Sequence, residues 1–89
     1  MVEHRSIRVR GRVQGVRFRV SAQGEADRFG LHGYVRNESD GTVYIEIEGE
    51  SDAIDAFVVW CRKGPMFAHV THVDVQGGQV CDMRDFEVR

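Results

Sequence analysis

The sequence has two cysteines, one lysine, one proline and no long apolar run. Each shortage excludes a class of protein. Cys61 and Cys81 stand in no C-x-x-C relation and at no metal-ligand spacing, so in a reducing compartment both are expected as free thiols. Cys61 falls on the apolar side of an expected helix and reads as a core residue, whereas Cys81 falls in an expected turn. The single lysine, Lys63, follows no G-x-x-x-x-G-K-[ST] loop, which excludes a Walker-type nucleotide site. No stretch approaches the ~20 apolar residues of a membrane span. Met1 to Arg5 lacks the apolar core of a signal peptide, so no membrane partner and a cytoplasmic location are expected. Linkers, repeats and low-complexity tracts are also missing, and residues 1–89 read as one domain. A chain of this size buries roughly 60–65% of its unfolded surface, enough to fold alone.

What is present is unevenly placed. The net charge is −2, yet Arg5, Arg8, Arg10, Arg12, Arg17 and Arg19 are half of the 12 basic residues. Glu3 is the only acid among the first nineteen positions, so the rest of the chain is acidic. Arg8, Arg10 and Arg12 read as the solvated face of a strand that also creates a local positive field. A nucleic-acid partner would require a broader basic surface with exposed aromatics, and Tyr44 is the only aromatic the pattern places on a polar strand face.

Hydrophobic periodicity orders the elements. A first strand is expected over about residues 5–13, with Ile7, Val9 and Val13 on one face. A helix beginning near Ser21 carries Ala22, Ala26 and Phe29, and Gly30 stops it. Leu31 to Glu38 and Thr42 to Glu48 read as a hairpin about the Ser39-Asp40-Gly41 turn, and Gly49 is expected to end it. Ser51 is the expected N-cap of a second helix striped by Ile54, Phe57, Val58 and Cys61, with Trp60 at its edge and Gly64-Pro65 closing it. Val70, Val73 and Val75 mark another strand, with a phase change at Thr71-His72 that suggests a bulge. Gly77-Gly78 is expected as a turn, and Phe86 and Val88 mark a short final strand. The order is β-α-β-β-α-β, that of a ferredoxin-like α/β sandwich with two helices on one face of an antiparallel sheet. That fold does not choose a function.

The stretch Gly11 to Arg19, G-R-V-Q-G-V-R-F-R, does more to narrow it. A strand that runs through a glycine turn into a helix presents unpaired backbone N–H groups at the positive end of the helix dipole. Such a place binds anions, with Arg17 and Arg19 at its lip. Neither cysteine opens a phosphatase-type loop. Asp40-Gly41-Thr42 resembles the end of an aspartate-nucleophile motif, but position 38 is glutamate and the large parallel sheet that motif needs cannot fit in this chain. His4, His32, His69 and His72 do not form a metal constellation and read as surface or structural residues. An anion cradle with no nucleophile, base or metal suits an already activated phosphate, because an acyl phosphate leaves as a carboxylate without a general acid. Charge stabilisation and water placement would then suffice.

Together with Gly30-Leu31-His32-Gly33-Tyr34-Val35-Arg36-Asn37 and Asp40-Gly41-Thr42-Val43, this stretch resembles the acylphosphatases, and the resemblance runs through Gly49, Gly64-Pro65 and the closing Phe86 to Arg89. It implies hydrolysis of the carboxyl–phosphate bond of a small acyl phosphate, with no cofactor and no metal. Arg19 falls on the family's catalytic arginine, whose planar fork would bind phosphoryl oxygens. Asn37 falls on the catalytic asparagine, which would orient water. Backbone N–H groups of Gln14, Gly15, Val16, Arg17, Phe18 and Arg19 would cradle the phosphate. Arg17 stands at a variable position and reads as helpful charge. Tyr34 and Met66 depart from the family's frequent tryptophan and second proline, away from the proposed site. A stand-alone monomer is expected. Two other readings remain: a non-catalytic anion-binding or regulatory domain, which the pairing of Arg19 with Asn37 disfavours, and a domain of a larger carbamoyl-transfer protein. Acetyl phosphate, carbamoyl phosphate and 1,3-bisphosphoglycerate are not ranked by these residues.

Overall fold

The computed structural model describes all of residues 1–89. Strand β1 (Val2–Arg12), helix α1 (Phe18–Arg28), strands β2 (His32–Asn37) and β3 (Val43–Glu50), helix α2 (Ser51–Lys63) and strands β4 (His69–Gly78) and β5 (Phe86–Val88) follow in that order. The sheet order is β4-β1-β3-β2-β5. Pairings among the first four strands are antiparallel, as alternating one-sided patterns require. Strand β5 corrects the all-antiparallel expectation, because it joins β2 in parallel through Gly33↔Phe86 and Val35↔Val88. The 79–85 segment must therefore cross from one sheet edge to the other.

Both helices pack on one face. Ile7, Val9, Val35, Val43, Ile45 and Ile47 point at them, and α2 answers with Ile54, Phe57, Val58 and Cys61, all buried. Burial raises the Cys61 thiol pKa above the ordinary range, so this cysteine serves as a small apolar core group. Phe57 lies 5.9 Å from Trp60 and 6.3 Å from Phe86 between ring centroids, which ties α2 to the last strand. Emptying a position of this kind costs about 3–5 kcal/mol.

Several boundaries move from the sequence expectation, each for a local reason. Helix α1 begins at Phe18, not near Ser21, because Phe18 extends the Ala22–Ala26 ladder back by one turn and buries its ring 5.2 Å from Trp60. Strand β1 starts earlier than expected, since β3 runs on through Gly49 and pairs to Val2. Gly49 does not end the hairpin: it admits Leu31, whose Cδ2 lies 2.3 Å from where a Cβ would stand. Ser51 is the first helical residue, and the cap position is the extended Glu50 without a side-chain cap bond. Gly77 and Gly78 pair with Arg5 and His4, so they continue β4 instead of turning. The bulge does occur: Arg10↔His72 is followed by Gly11↔Val70, which leaves Thr71 as the extra residue.

The open face of the sheet is less bare than expected. Tyr34 lies beside Tyr44, 6.4 Å away, so Tyr44 is not the only aromatic there. The guanidiniums of Arg8, Arg36 and Arg89 sit 5.0, 4.9 and 3.9 Å from the nearest of these ring centroids. The molecule's own cations thus occupy stacking faces that an RNA-binding module would offer to bases. At the other end of this face the crossing segment covers His4 and Glu48, which are 6% and 3% exposed. Glu48 accepts from the Cys81 and Met83 backbone N–H groups at 2.6 and 3.0 Å. Burial opposes charge on Glu48, but these donors and His4 outweigh it and hold the carboxyl at about 2.

Candidate functional site

Strand β1 ends at Arg12, and the chain turns through Gly15 at φ 74 and Arg17 at φ 64 before α1 begins. A left-handed conformation at a residue with a Cβ costs about 1–2 kcal/mol, and here it aims the loop's backbone outward at the helix N-terminus. The first helical N–H to find an acceptor is that of Ser21, on Arg17 O at 3.1 Å. No N–H from Gln14 to Val20 donates to a backbone carbonyl. These unpaired donors stand at the positive end of the α1 dipole, an arrangement that is able to hold an anion.

The flanking turn holds this loop in place. The Gln14 side chain donates to Glu38 O at 2.8 Å and Thr42 O at 2.9 Å, which joins the loop to the β2–β3 turn. That turn is closed by Asp40 Oδ1, which accepts from the Thr42 N–H at 3.0 Å and from its hydroxyl at 2.7 Å. These bonds hold the Asp40 carboxyl below its usual range. Asn37 ends β2 opposite Val43, the residue that also faces Val9 of β1. The register therefore brings the end of β2 alongside the β1 loop.

The structure gathers most of the expected residues into one groove of about 180 Å³, lined by Val13, Gly15, Arg17, Phe18, Arg19, Val20, Asn37 and Val88. Gln14 and Val16 stay outside the lining. Gln14 is a tether and Val16 packs against the core. The Phe18 ring is only 2% exposed, so its presence at the groove anchors the first turn of α1 in the core. Arg19 Nη1 donates to Arg89 O at 2.7 Å, which sets the direction of a guanidinium that has four further N–H donors. Asn37 Oδ1 is buried without a hydrogen-bond partner. Such an atom costs about 1–3 kcal/mol and is rare in folded proteins.

Two contributors went unassigned as site residues in the sequence reading. Val88 lines the groove and Arg89 supplies the backbone oxygen that steers Arg19, both far from the loop in sequence. No local pattern in the sequence announces either role, because each depends on β5 pairing parallel to β2.

Comparison with known proteins agrees with this architecture. The sequence model described as Acylphosphatase matches residues 5–88. A Nocardioides acylphosphatase is 54% identical over 83 residues, covering 93% of this chain and 84% of its own. The solved acylphosphatase structure from Coxiella burnetii superposes with a TM-score of 0.96 at 38% identity, covering 99% and 93% of the two chains. That from Bacillus subtilis gives 0.94 at 38% identity, covering 100% and 99%.

Proposed function

The chain belongs to the acylphosphatase family and is an enzyme of that kind, and from this premise we propose that the groove hydrolyses small acyl phosphates without a covalent enzyme intermediate. One observation supports the mechanism: Gly15, Arg17, Phe18, Arg19 and Val20, whose backbone N–H groups are unpaired, line one groove with Asn37, whose Oδ1 has no partner.

In this reading the phosphoryl group rests on the backbone N–H cradle, and Gly15 lets it approach closely, since no atom lies within 4 Å of where a Cβ would be. Arg19 binds phosphoryl oxygens with the donors that Arg89 does not use, and stabilises charge that grows as the phosphorus is attacked. Asn37 Oδ1 accepts a hydrogen bond from the attacking water and aims its oxygen at phosphorus. The water oxygen–phosphorus bond forms as the phosphorus–acyl oxygen bond breaks. The bonding pair leaves on the carboxylate, and the water proton passes to a phosphoryl oxygen. No protein base is required. Val20 and Val88, 47% and 40% exposed, offer apolar surface for the acyl end.

The test is steady-state hydrolysis of benzoyl phosphate with and without a chelator. Arg19→Ala is expected to lose ~10³-fold in turnover, equivalent to ~4 kcal/mol, with the fold intact by circular dichroism. Turnover close to the parent in a folded Arg19→Ala protein removes the mechanism. Phosphate binding without any turnover in the parent would make this groove a regulatory anion site instead.

A further inference from the structure

A second cluster of reactive side chains lies at the opposite end of the sheet. Five register rows separate the Val9–Val43–Asn37 row from the His4–Glu48–His32 row, roughly 17 Å at ~3.3 Å per row. There His4 Nδ1 lies 2.6 Å from Glu48 Oε2 and 3.9 Å from Cys81 Sγ. The nitrogen, the carboxylate oxygen and the sulfur all fall within 4.8 Å of one another. His4 Nε2 is engaged by Glu46, which in turn accepts from the Tyr44 hydroxyl.

We propose that His4, Glu48 and Cys81 form a binding site for a borderline-soft divalent ion of the zinc class, which clips the 79–85 crossing segment to the sheet. The donor set is one imidazole nitrogen, one carboxylate and one thiolate, a combination that favours zinc over magnesium or calcium. Tetrahedral coordination at ~2.0–2.3 Å places ligand atoms roughly 3.3–3.8 Å apart. The sulfur, 3.9 Å from the nitrogen, is already close to that spacing, and the 2.6 Å nitrogen–oxygen gap widens as the ion replaces the proton between them. The surroundings supply orientation as well. Glu46 on Nε2 fixes the tautomer that leaves Nδ1 as the ligand, the carboxylate–histidine–metal relay seen behind zinc ligands. The Cys81 and Met83 N–H groups lock the Glu48 carboxylate. Cys81 is exposed, so the ion has an entry path and a fourth position open to water. The ligands come from β1, β3 and the crossing segment, elements distant in sequence, so binding favours the folded state alone.

The experiment is titration of the metal-free full chain with Co²⁺ and Zn²⁺. Co²⁺ is expected to bind one to one with thiolate-to-cobalt charge-transfer absorption, and Zn²⁺ at tenfold excess over Kd to raise the melting temperature by about 5–10 °C. Cys81→Ser, an exposed and fold-tolerant change, should remove both effects, whereas Cys61→Ala should keep them. Absence of the absorption band in the parent, or its survival in Cys81→Ser, overturns the proposal. Neither readout depends on turnover, so failure here is distinct from failure of the catalytic reading.

Discussion

Asn37→Ala separates catalysis from stability in opposite directions. The Asn37 Oδ1 atom is buried with no hydrogen-bond partner in the protein, and an atom left unpaired costs the folded state about 1–3 kcal/mol. Truncation to alanine relieves that cost and forfeits the packing of a small amide, on the order of 1 kcal/mol. The net change lies between about zero and 2 kcal/mol in favour of the folded state. For a domain of 60–100 residues each kcal/mol moves the melting temperature by about 4–8 °C, so the variant should melt at the parental temperature or up to about 15 °C above it. On the proposed mechanism, in which Asn37 orients the water, turnover on benzoyl phosphate should fall by ~10²–10³-fold, or ~2.7–4 kcal/mol. Affinity for inorganic phosphate should change much less, since the cradle and Arg19 are untouched. Urea and thermal melts beside kcat, KM and phosphate inhibition give the full comparison. A variant destabilised by more than about 1 kcal/mol would mean that the amide is a structural partner and not a poised acceptor. Normal turnover with weakened phosphate binding would reverse the roles of Asn37 and Arg19.

Two further outcomes follow from local geometry. Gly33→Ala places a Cβ 1.9 Å from Glu46 O at φ 143, inside the β2–β3 ladder, and should cost about 3 kcal/mol or more in urea denaturation; a loss below 1 kcal/mol would show that the ladder yields. Asp40, whose folded pKa is lowered by its bonds to Thr42 with help from Arg8 and Arg10, stabilises the fold above its unfolded pKa of about 4 and loses that contribution as pH falls through the folded value. Asp40→Asn should therefore flatten the acid limb of the stability profile, and parallel limbs for parent and variant would refute the linkage.

The parts legible in the sequence are those set by short-range pattern. The stripe of Ile54, Phe57, Val58 and Cys61 repeats at helical spacing and is buried as that spacing requires. The Thr71 bulge shows as a break in alternation among valines. The loop from Gly11 to Arg19 is legible as a unit because it is one continuous stretch. Arg19 and Asn37 were named from the family resemblance, and the register then shows why they share a groove. Less accessible were features made by contact between distant segments. His4 has the sequence surroundings of a surface histidine and is buried among Glu46, Glu48, Gly78 and Cys81, residues distant from it in sequence. Tyr34 joins Tyr44 on the open face through the β2–β3 register. Gly49, Gly77 and Gly78 carry the sequence signature of turns, yet each stays within a strand, at Gly49 and Gly78 where a side chain would collide with Leu31 or His4.

The sheet order also fixes when the site can exist during synthesis. The cradle, Arg19 and Asn37 all lie in the first thirty-seven residues, yet the strand that carries the cradle is flanked by β3 and β4, which end at Glu50 and Gly78. The backbone oxygen that steers Arg19 belongs to residue 89. In a nascent chain the loop therefore emerges before β3, β4 and residue 89, the segments that flank its strand and steer Arg19. Such dependence on pairings far apart in sequence slows folding relative to a helical protein of similar length.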